Sequence, residues 1–385
     1  MKILMIRLSA IGDVVRTLPA LTCLRRAFPE ARIDWAVEEP SRPIVGDQPH
    51  LDHTLVFPRA RLARVLLHPD EILPARAALS RFLSDLKEAR YDLVIDFQGT
   101  IKSALLARAT RAPRIVGLGP GHAREMSHLF YSEKVALPRR GMSRVERALA
   151  LVAHLGIDTR EATSDIPESA DDAAYVESFL GTLPTPARAP AVIFPGTSRT
   201  QEYKRYPAEH FARVASLMAD RVASPVVVAW GPGEKHLAED IVAAAGPGRA
   251  LMAPSLTLGQ LTALIRRAQV FVAGDTGPMH IAWTVGTPLV AVYGPTDPVV
   301  NRPGGRFSVV AYEKVFCSPC RNRGCIARTC LHGLAPETVA SAAVDVVEQA
   351  SAAGRHRAHS LHVLQPTAGL RFETMGPGTR PRPGN

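Results

Sequence analysis

The chain has 385 residues, 46% of them hydrophobic and 21% charged, with a formal net charge of +10. That length exceeds one ordinary core and points to two domains of about 150–200 residues each in a folded globular chain. No run approaches the roughly 18 apolar residues of a bilayer span, and Met1 to Arg7 reads as a first strand rather than a signal peptide, which predicts a cytoplasmic protein.

Cys23 stands alone and four cysteines lie between Cys317 and Cys330, which excludes a secreted disulfide framework in a chain this long. The basic balance has two readings: arginines spread over solvated surface, or an anionic partner such as phosphate, nucleic acid or a membrane surface. No dense Lys/Arg block is interleaved with aromatics, which argues against nucleic acid.

In chain order, Lys2–Arg7, Ile33–Val37, Leu93–Asp96 and Ile115–Gly117 read as strands, with helices over Leu18–Phe28, Ala75–Ala89 and Ser143–Leu155. Asp158 to Ala189 is rich in Pro, Asp, Ser and Thr, and reads as a connection carrying a short helix, Asp171–Leu180. The alternation then restarts. Val192–Phe194, Val226–Trp230, Val270–Ala273 and Leu289–Tyr293 read as strands, with helices over Pro207–Ala219, Glu234–Ala245, Pro278–Val285 and Pro336–Ala350. Such alternation predicts α/β architecture with parallel sheets. The last residues, 354–385, are rich in Pro, Gly, Arg and His and are expected to be a disordered basic tail.

The sharpest local signal is the strand running into Gly274-Asp275-Thr276-Gly277-Pro278-Met279-His280. Pro278 suits the first turn of a helix, whose free N–H groups and dipole make a phosphate site. Glycine lets the ligand approach the main chain. His280 falls in the same turn as a donor, and Asp275 suits sugar hydroxyls. The alternative is an ordinary capped βα turn. A second strand leads to Pro195-Gly196-Thr197-Ser198, followed by Lys204, a combination of hydroxyls, N–H groups and one mobile ammonium that suits a diphosphate. Arg199 and Arg205 are rival cations. A third strand ends at Gly231-Pro232-Gly233-Glu234, where Glu234 either accepts from ribose hydroxyls or faces a helix dipole. All three loops follow strands of one predicted sheet, so they share the edge where open α/β sheets bind ligands.

In the first half, Leu8-Ser9-Ala10-Ile11-Gly12-Asp13 follows the first strand. Taken alone, Asp13 reads as a helix cap in preference to a general base. The segment Asp96-Phe97-Gln98-Gly99-Thr100-Ile101-Lys102 adds polar groups at the same edge. Cys317, Cys320, Cys325 and Cys330 offer four thiols for tetrahedral zinc, yet only the first two form a close pair, so free thiols in a compact loop are the preferred reading.

Together, Ile6–Leu21, Asp34–Glu39, Val94–Gly99, Phe194–Ser198 with Lys204, Gly274–His280, Tyr293–Thr296 and the Cys-x-x-Cys loop resemble the ADP-heptose:lipopolysaccharide heptosyltransferases, glycosyltransferase family nine, over residues 1–350. The resemblance implies a GT-B fold, with two Rossmann-like domains facing across a cleft: residues 1–170 for the acceptor, 171–190 as linker, and 191–353 for the nucleotide sugar. It implies inverting transfer from ADP-heptose without metal or other cofactor. The acceptor would be a lipid A core bearing Kdo or heptose at the inner leaflet of the inner membrane. By the same likeness Asp13 becomes the base. Thr197, Ser198, Lys204, Glu234, Asp275, Thr276, Gly277 and His280 hold the donor, and Ser9, Gln98 and Lys102 hold the acceptor. Arg59, Arg61 and Arg64, beside Leu62, Val65 and Leu66, are either a membrane-facing patch or a solvated basic face. The alternatives kept open are transfer from another nucleotide sugar and a non-catalytic nucleotide-binding scaffold.

Overall fold

Ile3, Leu4, Met5 and Ile6 are all buried, as expected of a strand covered on both faces of a parallel sheet. In the computed structural model, which describes residues 1–353 except 66, 139–140, 185–188 and 223, together with 372–373, this strand is the centre of the first of two parallel sheets. The first sheet is built from β1 (Lys2–Ile6), β2 (Arg32–Glu38), β3 (His53–Phe57), β4 (Leu93–Asp96), β5 (Arg114–Leu118) and β6 (Glu133–Val135), in the order β3-β2-β1-β4-β5-β6. The second contains β7 (Ala191–Phe194), β8 (Val226–Val228), β9 (Leu251–Met252), β10 (Val270–Gly274), β11 (Leu289–Tyr293) and β12 (Ser308–Tyr312), in the order β12-β11-β10-β7-β8-β9. Phe372–Glu373 pair in parallel with β12; the rest of the expected disordered tail lies outside the described residues. Two such sheets, with helices between their strands, are the GT-B arrangement that the resemblance implies.

Among the elements absent from the sequence reading are the edge strands β3, β6 and β9, the strand β12, and the helices Ile101–Ala109 and Leu258–Arg267. Edge strands need burial on one side only, so their runs are short or polar.

The helix Ala170–Gly181, within the predicted connection, packs on Leu258–Arg267. Arg267 reinforces that contact by pairing with Glu168 and, at 2.6 Å, with Glu177. One hydrophobic cluster runs from Ile3, Met5 and Trp35 of the first half through Met279 and Ile281 to Val192 and Phe271 of the second. The short helix Ile11–Val15 after β1 packs directly on the helix Gly277–Thr284 after β10, so the C-terminal edges of both sheets meet.

Candidate functional site

Thr276 occupies the N-cap position of the helix Gly277–Thr284 in extended backbone, yet its side chain makes no capping bond. Its buried hydroxyl has no partner, and the same is true of the hydroxyls of Thr197 and Thr296 and of His280 Nε2. All four residues line one cleft of about 1350 Å³. An unsatisfied buried polar group costs about 1–3 kcal/mol, so four in one cleft mark a place where a ligand supplies the missing bonds. The first-turn N–H groups of Gly277 and Met279 have no intrahelical acceptor and add the positive end of the helix dipole.

The Trp283 indole N–H donates to His280 Nδ1 at 3.2 Å, which leaves the proton of the neutral ring on Nε2. Burial and the nearby Arg16 guanidinium push the His280 pKa down to about 4. Nε2 lies 3.8 Å from Asp275 Oδ1, beyond hydrogen-bond reach, and Lys204 Nζ lies 3.6 Å from Asp275 Oδ2. Burial raises the Asp275 pKa, but His280 and Lys204 outweigh it and hold the carboxyl well below the usual range. A histidine titrating near 6.5 unfolded and about 4 folded binds more protons in the unfolded chain between those values. Stability contributed by neutral His280 is therefore lost as pH falls from about 6.5 towards 4, by up to about 3 kcal/mol. Thermal unfolding followed by circular dichroism should show a shallower decline for His280→Gln across this window than for the wild type.

Glu234 occupies the N-cap position of the helix Lys235–Ala245, but its side chain makes no capping bond. Its Oε1 accepts from the Thr197 N–H at 2.8 Å and from Arg205 Nη2 at 3.0 Å, bracing the loop after β7. Its carboxylate sits against Gly196, where a Cβ would come within 1.9 Å of Oε2 and would push the Glu234 carboxylate out of place. Arg205 is thereby committed to Glu234, and Lys204 is the cation beside Asp275. Ser198 and Arg199 are exposed on the cleft wall.

Across the cleft, Ala10 caps the helix Ile11–Val15, and Asp13 does not cap it. Its carboxylate pairs with Arg7 at 2.5 Å, with Arg16, and with Arg144 at 3.8 Å. Burial would raise the Asp13 pKa, but these guanidinium groups hold it far below the carboxylate range. Asn301 Oδ1 accepts from Arg16 Nη1 at 3.2 Å and from Arg144 Nε at 3.1 Å, tying this cage to the second half. The two halves touch at glycines: a Cβ on Gly12 would lie 2.7 Å from His280 Cδ2 and 3.4 Å from Gly277 Cα. Asp13 follows Gly12 and so stands beside the Thr276–His280 turn, lining both the large cleft and an adjoining cavity of about 430 Å³.

Gln98 lines that smaller cavity, and its Oε1 accepts from the Ser9 N–H at 3.4 Å. Lys102 does not line either cavity: its ammonium pairs with Glu38 at 2.8 Å over the Phe57 ring, because the helix from Ile101 turns it away from Gln98. Cys317 and Cys320 are exposed and Cys330 is buried, where burial pushes its thiol up to about 11. Among the described residues no three His, Cys, Asp or Glu side chains are grouped to hold a metal.

Sequence reasoning missed Arg7, Arg16, Arg144, Thr296 and Asn301. Arg16, one helical turn after Asp13, was legible from spacing. Arg144 and Asn301 converge on the cage only through the tertiary fold.

The family model "Glycosyltransferase family 9 (heptosyltransferase)" matches residues 79–331. Lipopolysaccharide heptosyltransferase 1 of Pseudomonas aeruginosa is 32% identical over 327 residues, covering 84% of this chain and 87% of that protein. The solved E. coli heptosyltransferase WaaC with ADP superposes with a TM-score of 0.67 at 30% identity, covering 80% of this chain and 92% of that one. WaaC with ADP-2-deoxy-2-fluoro heptose gives 0.65 at 28% identity, covering 92% and 100%. With the family model spanning well over half of the sequence, the chain belongs to glycosyltransferase family 9, the heptosyltransferases.

Proposed function

We propose that this protein transfers heptose from ADP-heptose to a Kdo or heptose residue of the lipopolysaccharide inner core, with inversion at the anomeric carbon and without a metal ion. The observation that carries this reading is the set of unpartnered buried polar groups on one cleft wall, with an ionised, caged carboxylate on the other. The names of the relatives and the nucleotides bound to WaaC support the donor and the acceptor class.

Displacement at an anomeric carbon builds positive charge on the sugar ring and negative charge on the departing ADP. The first-turn N–H groups at Gly277, the Thr197 and Thr276 hydroxyls and Lys204 would hold the diphosphate and stabilise that charge. Asp275 accepts from heptose hydroxyls, and Glu234, fixed by Thr197 and Arg205, offers its other oxygen to the ribose. Asp13 takes the acceptor proton as attack occurs. The sheet built from residues 2–135 carries the acceptor and the sheet from 191–312 the donor.

The acceptor is held in the inner membrane, and the protein meets it from the cytoplasmic face. Arg61 and Arg64 lie on a helix with no buried residue, close in the chain to Leu67 and Leu73, which are 80% and 74% exposed. Exposed apolar groups beside cations suit an anionic lipid surface. Among the described residues no helix is long and apolar enough to cross a membrane.

Assays of ADP-, UDP- and GDP-sugars with defined truncated lipid A-core acceptors test the reading. Transfer from ADP-heptose alone is expected, with inverted product stereochemistry by NMR. Selective use of a UDP-sugar would sink the heptose assignment, and binding without turnover on any acceptor would favour a scaffold.

A further inference from the structure

The cavity of about 430 Å³ beside Asp13 is lined by six arginines, Arg7, Arg16, Arg124, Arg144, Arg147 and Arg321, against one carboxylate, that of Asp13. Arg7 and Arg16 are committed to that carboxylate. Arg144 reaches it only at 3.8 Å, and its main bond is to Asn301. Arg147 donates to the Met142 carbonyl at 3.1 Å, while no carboxylate pairs with Arg321 among the described residues.

Arg144 and Arg147 stand one turn apart on the helix Arg144–Ala153 of the first half. Arg321 comes from the cysteine loop of the second half. That loop is pinned at the cleft: the N–H groups of Cys320 and Arg321 both donate to the Pro295 carbonyl, at 3.0 and 2.9 Å, and Ser318 Oγ donates to the Gly294 carbonyl at 2.6 Å. The three guanidinium groups repel one another. Although Asp13 favours its charged form, burial and the charges of Arg16, Arg7 and Arg321 push the Arg144 pKa down to about 10. Burial and Arg321 likewise lower that of Arg147, against a distant pull from Asp297. Like charges converging on one cavity, with so little internal compensation, are relieved by an incoming anion, and the guanidinium fork fits carboxylate and phosphate alike.

We propose that Arg144, Arg147 and Arg321 form a subsite for an anionic substituent of the acceptor, a carboxylate or a phosphate, adjacent to the hydroxyl presented to Asp13. Arg321 makes this subsite depend on both halves of the molecule, so that an acceptor bearing the anion draws the cysteine loop and the helix Arg144–Ala153 onto one group. The proposal rests on the acceptor-transfer reading above. It gives the cysteine loop a task as the carrier of an acceptor-recognising side chain.

The test is the affinity of the full chain, loaded with ADP, for a truncated core acceptor by titration calorimetry, independent of turnover. Wild type is compared with Arg321→Gly, Arg321→Lys and Arg147→Gln. Glycine suits position 321, whose φ of 53° is left-handed, so the side chain is removed without backbone strain. Each protein is also titrated with the same acceptor as its carboxylate methyl ester and after removal of its phosphate. Arg321→Gly and Arg147→Gln should each weaken binding of the intact acceptor about tenfold or more, with Arg321→Lys recovering part. The loss should vanish with whichever acceptor lacks the anion that fills the subsite, which separates carboxylate from phosphate. Equal affinity of wild type and Arg321→Gly overturns the proposal, as does a loss that persists undiminished with both neutralised acceptors. If the wild type binds no acceptor at all, the transfer reading falls and this proposal with it; intact binding with no effect at Arg321 removes this proposal alone.

Discussion

Asp13→Asn should lower kcat about 10²–10⁴-fold while the affinity for ADP-heptose stays near that of the wild type. Asparagine keeps the shape of the side chain, and its Oδ1 can still accept from one of Arg7 and Arg16, which pair with opposite carboxylate oxygens, but it cannot take up the acceptor proton. It is a cleaner substitution than alanine, which would leave two nearly buried guanidinium groups facing a void. Steady-state kinetics with saturating acceptor, beside calorimetric titration of the donor, separates the two effects. Full turnover in this variant would remove Asp13 as the base. The surrounding arginines hold the carboxyl far below its ordinary value, so it is ionised across the neutral range. The wild-type rate should accordingly show no acidic limb from Asp13 between about pH 5 and 8.

The second large effect is expected at Lys204. Its ammonium lies 3.6 Å from Asp275 and lines the large cleft; in the proposed mechanism it is the cation that meets charge developing on the departing diphosphate. Lys204→Met removes that charge while keeping the apolar stem. A fall in kcat of about 10²–10³ is expected, the size measured when a preorganised donor to a developing anion is removed. The KM for the acceptor should be unchanged, because the proposed mechanism puts the acceptor on the Asp13 side. An unchanged kcat, or a rise confined to the acceptor KM, would place Lys204 outside the leaving-group site. Lys204→Arg should recover part of the rate, since the charge is retained with different geometry.

Much of the cleft wall built by the loops after β7, β8 and β10 was legible in the sequence because it is local. Each of its three loops follows a strongly apolar strand, and a glycine or proline at the strand's end announces a βα turn. Thr197, Lys204, Glu234, Asp275, Thr276 and His280 all line one cleft, as the shared sheet edge implied. The helix Leu258–Arg267 carries a Thr257/Gln260 capping box, a signal present in the sequence that went unread. The acceptor side was less legible for a physical reason. Asp13 reads as a cap in the sequence because spacing brings only Arg16 within a turn of it and cannot show that Arg7 and Arg144 complete the cage. Arg144 is brought there by a helix over a hundred residues away, and Asn301 by the opposite half. Lys102 was misjudged in the other direction: it follows Gln98 closely in sequence, but the intervening helix start sends it to Glu38.

The hydrophobic cluster that passes from Ile3 and Trp35 through Met279 to Phe271 has a consequence for how the chain comes apart. A molecule with two separate cores melts in two steps, each half losing its structure on its own schedule. Here, stripping either sheet away would bare apolar surface on the other, and the Gly12–Gly277 contact and the Asn301 bridge would be lost in the same event. Each half also keeps a hydrophobic cluster of its own, but the shared cluster couples the two sheets, so a single unfolding transition is expected by calorimetry.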